Sequence, residues 1–94
     1  MKTDYQMQII LKLRVLREKN HLTQTQTAFF LGISPGQLGN IESNKQNHKY
    51  TLKQIYLLCD KMGTPISSLF CEDDESDFNK LIQNIIKYEE NDEK

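Results

Sequence analysis

Apolar residues recur at helical spacing along most of this 94-residue chain, and polar residues fill the intervening positions. Glycine, proline and β-branched residues form too few clusters to indicate a sheet. The first apolar stripe joins Ile9, Leu13 and Leu16, which predicts a helix from about Tyr5 to Lys19. Apolar stripes at a period near 3.6 residues are typical of amphipathic helices. The pattern therefore predicts an all-α fold.

Three segments begin with Ser or Thr followed three residues later by Gln. In this capping box, the hydroxyl accepts a hydrogen bond from a backbone N–H of the first turn, and the Gln side chain bonds back to the cap residue. The predicted starts are Thr23–Gln26, Ser34–Gln37 and Thr51–Gln54. Pro35 follows the second cap, at the first helical position, where its missing N–H costs nothing.

The remaining bounds follow from the stripes and from helix-ending residues. The second predicted helix runs from Gln24 to Leu31 and ends at Gly32, and the third begins at Ser34. The fourth runs from Leu52 to Met62 and stops at Gly63. A short fifth helix begins at Thr64 and Pro65, and a sixth covers 78–90. Their predicted core residues are Leu52, Ile55, Leu58, Cys59, Met62, Leu69 and Phe70, and then Phe78, Leu81, Ile82, Ile85 and either Tyr88 or Glu89. The second and third helices, joined by a short Gly-containing turn, match the description of a helix-turn-helix.

Charge divides the chain into two parts. Residues 1–70 carry nine Lys and Arg against four Asp and Glu, whereas residues 71–94 carry three against nine, and the net charge is −1. The composition, 37% hydrophobic and 27% charged, is that of a folded protein. We therefore expect a domain over 1–70, followed by an acidic linker and an amphipathic helix over 71–94. The acidic segment is either a solvated tail or a tail with a role.

Several classes of function are disfavoured by the residues present. The opening residues lack the uninterrupted apolar centre of a signal peptide, and no stretch approaches a membrane span, so we expect a cytosolic protein without a membrane partner. Cys59, Cys71, His21 and His48 match no disulfide framework and no zinc spacing. No catalytic constellation is visible, and so short a chain has no room for a useful small-molecule pocket. We expect no metal, cofactor, small-molecule substrate or enzymatic activity.

The segment "LTQTQTAFFLGISPGQLGNIESNK", residues 22–45, resembles the helix-turn-helix of the Cro and phage-repressor type, also called the xenobiotic-response-element family. The residues that match the family pattern in register are Leu22, Thr23, Gln24, Ala28, Leu31, Gly32, Ile33, Ser34, Leu38, Ile41, Glu42 and Lys45. The resemblance extends from about Ile9 to Phe70. It implies a compact five-helix, lambda-repressor-like DNA-binding domain, here with an extra C-terminal helix, and double-stranded DNA as the partner.

The resemblance also implies contacts with the DNA backbone. A Gln at the start of the second helix takes this role in the family, and helix N-termini suit phosphate because their N–H groups are unpaired. The polar loop after the third helix, about two residues longer than usual, suits backbone contacts as well. The predicted phosphate contacts are Thr23, Gln24, Ser43, Asn44, Lys45 and Lys49. The alternative for Gln24 and for each lysine is an ordinary solvated side chain.

Base contacts are implied at the first two positions of the third helix and at a pair one turn later. These positions hold Pro35, Gly36, Gly39 and Asn40, of which only Asn40 can read a base edge through its side chain. Gln37 is a further candidate, although its capping role competes for the same amide. Two glycines in a short helix each cost up to about 1 kcal/mol relative to alanine. Either they allow close approach to the major groove, or the helix has lost sequence-specific binding.

The family also pairs an Arg near the end of the first helix with the Glu that ends the third. In this sequence the pair is Arg17 and Glu42, which we expect to be structural. The chain departs from the family at Thr27, where Leu or Val is usual, and at Phe29 and Phe30, where charged residues are common.

A second apolar stripe, formed by Met7, Leu11 and Val15, lies on the first helix away from its core stripe. Either the sixth helix covers part of this surface, or it meets a second copy of the chain. We predict a homodimer, because the third helices of two copies, about 34 Å apart, can bind the two half-sites of a palindrome.

Together these features predict a sequence-specific DNA-binding transcriptional regulator, a dimeric repressor that binds a palindromic site through helix 34–42. The resemblance leaves open a phage or plasmid regulator, a restriction-modification controller or an antitoxin. The alternative is a protein-interaction adaptor with reduced base readout, in which the acidic segment 72–77 and the two phenylalanines bind another protein.

Overall fold

The computed structural model describes residues 2–71 and 78–90, and within these ranges the chain forms six α-helices and no strand. The helices are α1 (Asp4–Lys19), α2 (Gln24–Leu31), α3 (Pro35–Glu42), α4 (Leu52–Lys61), α5 (Ile66–Phe70) and α6 (Phe78–Glu89). The predicted all-α fold is confirmed. Within the two described ranges, no helix has the length and apolarity required to cross a membrane.

The helix starts follow from side-chain capping. All three predicted capping boxes are present, with both hydrogen bonds of each formed. A fourth, which was not predicted, begins α1: the Thr3 hydroxyl accepts from the Gln6 backbone N–H, and the Gln6 side chain accepts from the Thr3 N–H. The first helix therefore begins at Asp4, one residue earlier than predicted.

Two predicted bounds in the second half of the chain shift slightly. Helix α4 ends at Lys61, and Met62 is its C-cap. Pro65 has an extended backbone and is the N-cap of α5, so this helix begins at Ile66 and not at Thr64 or Pro65.

Gly32 forms the turn between α2 and α3. Its φ of 73° is in the left-handed region, and the next residue, Ile33, donates its backbone N–H to the Ala28 carbonyl at 3.0 Å. Glycine reaches this conformation without the steric cost that a Cβ imposes. The turn redirects the chain within three residues and sets α3 against α2.

One hydrophobic core joins all six helices. Its residues are Ile9, Ile10, Leu13, Ala28, Leu38, Ile41, Tyr50, Ile55, Leu58, Cys59, Leu69, Phe70 and Tyr88. The predicted core residues Leu16, Leu52 and Met62 are only partly buried and pack against its edge. Each large side chain removed from water contributes about 1.5–3 kcal/mol, so the burial of Leu38 and Ile41, with α3 packed against α2 and α1, determines where α3 lies.

Helix α6 packs against α1 and α5 of its own chain. The residues that face inward are Leu81, Ile85 and Tyr88, and the Tyr88 ring lies edge-on to Phe70 with 5.9 Å between ring centroids. Phe78, predicted for the buried face, is 71% exposed, and Ile82 is exposed as well. The prediction of the buried face was wrong at these two positions because insertion of Tyr88 into the core sets the rotation of the helix.

The second apolar stripe of α1 stays in solvent, since α6 does not cover it. Leu11 is 57% exposed, Val15 is 54% exposed, and Met7 is half-buried. These side chains lie on the opposite side of α1 from Ile9 and Leu13. An exposed apolar row of this kind is typical of an interaction surface.

The departures from the family pattern differ in their environments. Thr27 is buried, and its hydroxyl oxygen has no hydrogen-bond partner within the part of the chain that the structure describes. Phe29 is 86% exposed. Phe30 is partly exposed, with the Lys61 Nζ 4.7 Å from its ring centroid.

Candidate nucleic-acid interface

Helix α3 presents one face to the core and the other to solvent. Leu38 and Ile41 are buried and hold the helix in place. On the outward side, Pro35 and Gly36 are exposed, and Asn40 is half-buried. Because the second helix of a helix-turn-helix enters the major groove, this outward side is the candidate reading face.

Neither glycine of the reading face is required by the packing of this chain. Apart from the adjacent residues and the neighbouring backbone of α3 itself, a Cβ built on Gly39 meets no atom of the described residues within 4 Å, and one built on Gly36 meets only the Ser34 Oγ, at 3.9 Å. Neither residue has a positive φ. Contacts among the described residues would therefore accept alanine at both positions.

The two amide side chains of α3 are in different states. The Gln37 Oε1 accepts a hydrogen bond from the Ser34 backbone N–H at 2.8 Å, so the capping box already holds this side chain. The Asn40 side chain forms no hydrogen bond with any described residue, and its donor and acceptor remain available. Asn40 is thus a predicted base-contact residue whose whole side-chain amide has no hydrogen-bond partner among the described residues.

Arg17 and Glu42 form the pair that the resemblance implies. The Arg17 Nε and Nη2 donate to the two Glu42 carboxylate oxygens, each at 2.7 Å, and the two side chains are only 6% and 3% exposed. The Arg17 Nη1 donates to the Leu22 carbonyl at 2.9 Å. This two-pronged geometry is the strong form of the interaction, and it ties the end of α3 to α1 and to the residue that precedes Thr23.

The electrostatics of the pair follow from this geometry. Burial alone would raise the pKa of Glu42, but the hydrogen bonds from Arg17 and Gln24 outweigh it and hold the pKa below its ordinary value. The hydrogen bond to Glu42 raises the pKa of Arg17. Both groups are therefore charged at neutral pH, and each compensates the other.

Gln24 contacts this pair directly. Its Nε2 donates to the Glu42 Oε1 at 2.9 Å, and the residue is exposed at the first position of α2. The same Glu42 oxygen also accepts from Arg17. Gln24 thus braces α3 against the start of α2, and its contact with phosphate stays a prediction. Thr23, the N-cap before it, uses its hydroxyl to accept from the Gln26 N–H at 3.1 Å.

The loop after α3 separates the predicted phosphate contacts into two groups. Asn44 and Lys45 are exposed, and the Ser43 Oγ accepts from the Lys45 backbone N–H at 3.2 Å. Lys49 instead lies against α6: its Nζ donates to the Tyr88 carbonyl at 3.2 Å and is 3.9 Å from the Glu89 carboxylate. Lys45 is therefore better placed than Lys49 to reach a phosphate.

Contacts that were not predicted join the far end of this loop and the start of α1 to the end of α6. The Tyr88 hydroxyl donates to the Tyr50 carbonyl at 2.9 Å, and the Gln6 Nε2 donates to the carbonyls of Tyr88 and Glu90, each at 2.7 Å. The fourth capping box was readable in the sequence and would have placed Gln6 at the start of α1. Its contact with a residue 82 positions away has no local signal.

Within residues 2–71 and 78–90, no group of three or more His, Cys, Asp or Glu side chains is arranged to hold a metal ion. Cys59 and Cys71 are buried free thiols, and burial raises the pKa of Cys59.

Comparison with known proteins bears on the same elements. A model of the helix-turn-helix family matches residues 13–69, more than half of the chain, and this range contains α2, α3 and the loop that follows. No curated protein and no solved structure matches the chain. The matched range includes the Arg17–Glu42 pair, the Gly32 turn and the reading face. The chain therefore belongs to the Cro/C1-type helix-turn-helix family and is a DNA-binding helix-turn-helix regulator.

Proposed function

We propose that this protein is a sequence-specific transcriptional repressor that binds a palindromic DNA site as a homodimer, with α3 in the major groove. The observation that carries the proposal is the reading face. It combines two glycines that internal packing does not require with one asparagine amide that has no partner among the described residues. Repression needs nothing further, because occupancy of a site is enough to exclude other proteins from it.

Base readout centres on Asn40. An asparagine amide pairs with adenine through its N6 and N7 atoms, and such a pair discriminates by about 1–3 kcal/mol. The glycines on either side of Gln37 and Leu38 bring the helix backbone within reach of base edges and thymine methyl groups. Selectivity beyond these contacts comes from DNA shape and from the spacing of the half-sites.

Backbone contacts frame the reading helix on both sides. The first turn of α2, which begins at Gln24 beside Thr23, presents unpaired N–H groups to one phosphate, while the Thr23 N–H itself bonds to the Gln26 side chain. On the other side, Ser43, Asn44 and Lys45 face the next part of the backbone. Lysine near phosphate increases affinity for all sequences and makes binding salt-dependent.

The first prediction separates these two kinds of contact. Asn40→Ala should reduce the preference for adenine at one position of each half-site by about 1–3 kcal/mol while leaving affinity for unrelated DNA unchanged. Lys45→Ala should instead lower affinity for every sequence and reduce the log–log salt slope by about 0.9 for each phosphate that the lysine neutralises. Fluorescence anisotropy over a salt series, with matched and unrelated duplexes, measures both effects.

Lys80→Ala on α6 is the matched control, since Lys80 is an exposed lysine outside the helix-turn-helix. It should leave sequence preference and salt slope as in the wild type. Base readout by Asn40 would be refuted if Asn40→Ala bound the matched and unrelated duplexes just as the unsubstituted protein does.

The second prediction concerns the dimer. A doubly substituted chain, Leu11→Glu with Val15→Glu, should sediment as a monomer and lose most of its affinity for a full palindrome, because it places charge on the exposed α1 stripe. Sedimentation equilibrium at micromolar concentration measures the mass. Ile86→Glu is the control, because Ile86 is an apolar residue of α6 that is 56% exposed.

The control should keep the mass of the dimer. A wild-type protein that sediments as a monomer at micromolar concentration would contradict the dimer. A double variant that stays dimeric would place the interface elsewhere on the molecule.

A second candidate function is a protein-interaction adaptor that keeps the helix-turn-helix fold. The observation that favours it is the exposure of Phe29, because exposed aromatic side chains are frequent anchors in protein interfaces. The DNA measurements above discriminate between the two functions, since an adaptor has no reason to prefer one duplex over another.

A further inference from the structure

The Lys2 side chain lies at the carboxyl end of the reading helix. Its Nζ donates hydrogen bonds to the Ser43 carbonyl at 2.7 Å, to the Ile41 carbonyl, and to the Asn40 carbonyl at 3.4 Å. The residue is only 6% exposed, and this burial lowers the pKa of its ammonium. A lysine just before α1 therefore contacts residues about 40 positions further along the chain.

Helix α3 needs a partner at this end. The last carbonyls of any helix lack intrahelical donors, and that end carries the negative pole of the helix dipole. The last turn of α3 contains no basic residue, and its C-cap, Ser43, has an extended backbone and not the left-handed one that closes many helices. The Lys2 ammonium supplies the missing donors and the opposing charge.

The contact also couples α3 to α1 at a second point. Arg17, in the last turn of α1, forms hydrogen bonds with the Glu42 side chain. Lys2, just before the first turn of α1, instead bonds to backbone carbonyls at the end of α3, those of Asn40, Ile41 and Ser43. The two contacts fix both the side chain and the backbone at the end of the reading helix. Asn40 and Ser43, at which the loop after α3 begins, lie within the segment that these two contacts hold.

We propose that Lys2 is a positioning residue for DNA binding: it fixes the carboxyl end of α3 and the start of the 43–49 loop against α1, without itself contacting DNA. The inference rests on the proposed DNA-binding function. It differs from the ordinary role of a lysine in such a protein, because the charge is enclosed by carbonyl groups and does not face solvent.

The test uses Lys2→Met on the full chain, which keeps the apolar stem and removes the ammonium. Affinity for the selected duplex should fall about tenfold, which is within the range for a cation at a partly buried helix end. The salt slope should stay at the wild-type value, whereas the slope of Lys45→Ala should fall by about 0.9. Lys2→Arg, which keeps the charge, should recover part of the affinity.

A second measurement reads the position of α3 without DNA. Amide hydrogen exchange at residues 41–45 should accelerate in Lys2→Met while exchange in α4 stays as in the wild type, because only the held segment loosens. Lys2→Gln, whose amide can still donate to carbonyls, should show a smaller acceleration. These comparisons remain informative if Lys2→Met lowers global stability, since α4 reports that effect separately.

Two results would overturn the inference. One is wild-type affinity together with unchanged exchange at 41–45 in Lys2→Met. The other is a loss of affinity accompanied by a salt slope reduced by about 0.9, which would make Lys2 a phosphate contact. If the proposed DNA-binding function is wrong, the wild-type protein itself will prefer no duplex. In that case amide hydrogen exchange at residues 41–45 still tests whether Lys2 positions the end of α3.

Discussion

Replacing Glu42 with alanine should lower the free energy of unfolding by about 3–5 kcal/mol, the cost of leaving one member of a buried ion pair without its partner. The Arg17 guanidinium would lose both of its 2.7 Å hydrogen bonds while staying enclosed by the fold. Gln24 would lose its acceptor as well. Urea unfolding followed by circular dichroism measures the change directly.

Glu18→Ala is the matched control, because it removes a carboxylate from a second Arg–Glu pair in the same protein. The Arg14 Nε and the Glu18 Oε2 are 3.6 Å apart, but the two side chains are 48% and 55% exposed. Exposed pairs contribute about 0–1 kcal/mol. If Glu42→Ala cost no more than Glu18→Ala, burial of the Arg17–Glu42 pair would not contribute the stability expected of it.

The same pair gives stability a dependence on pH with a defined sign. The pKa of Glu42 is lower in the folded protein than in the unfolded chain, where it is about 4.3. Its contribution is therefore fully present above pH about 4.3 and is lost as the pH falls through the folded pKa. Glu42→Gln cannot titrate, so its stability should fall less than that of the wild type over this acidic range.

The reading helix should become more stable and bind DNA less well when both of its glycines are replaced by alanine. In Gly36→Ala with Gly39→Ala, each change should stabilise the fold by up to about 1 kcal/mol, since the backbone is helical and the new Cβ meets open space. Affinity for the selected duplex should fall at least about tenfold, or about 1.4 kcal/mol, because two methyl groups would hold the backbone away from the bases.

A gain in stability together with a loss of DNA affinity separates a contact with DNA from a general defect in folding. Gly63→Ala is the control, because Gly63 has a φ of 66° and lies outside the helix-turn-helix. It should cost about 1–2 kcal/mol of stability without a selective loss of DNA affinity. A double variant that is more stable and binds with wild-type affinity would mean that the glycines do not serve close approach to DNA.

Local signals account for most of what the sequence could predict. A Ser or Thr followed three residues later by Gln sets the start of each of α2, α3 and α4. Pro35 occupies the first position of α3, and Gly32 has the left-handed backbone that ends α2. The Arg17–Glu42 pair followed from resemblance, not from spacing. These features depend on residues a few positions apart or on a shared family pattern, and both can be read from one sequence.

The features that escaped prediction depend on contacts between distant segments. The rotation of α6 follows from insertion of Tyr88 beside Phe70, and the contacts of Lys2 with the end of α3 join residues about 40 positions apart. One missed feature is local: His21, in the turn after α1, has a φ of 60°, a left-handed conformation that is mainly adopted by glycine. Lys49 looked like its neighbour Lys45 in the sequence, and only the fold places it against α6.

Selection of bound duplexes from a random DNA pool tests the central claim most directly. Purified wild-type protein should enrich a palindrome whose half-sites lie about one helical turn apart, about 34 Å, with adenine at the position that faces Asn40. Binding of the enriched duplex should weaken steeply from low to physiological salt. Salt-sensitive binding without an enriched sequence, or no binding at all, would contradict the account and would mean that the two glycines mark a reading helix that no longer reads.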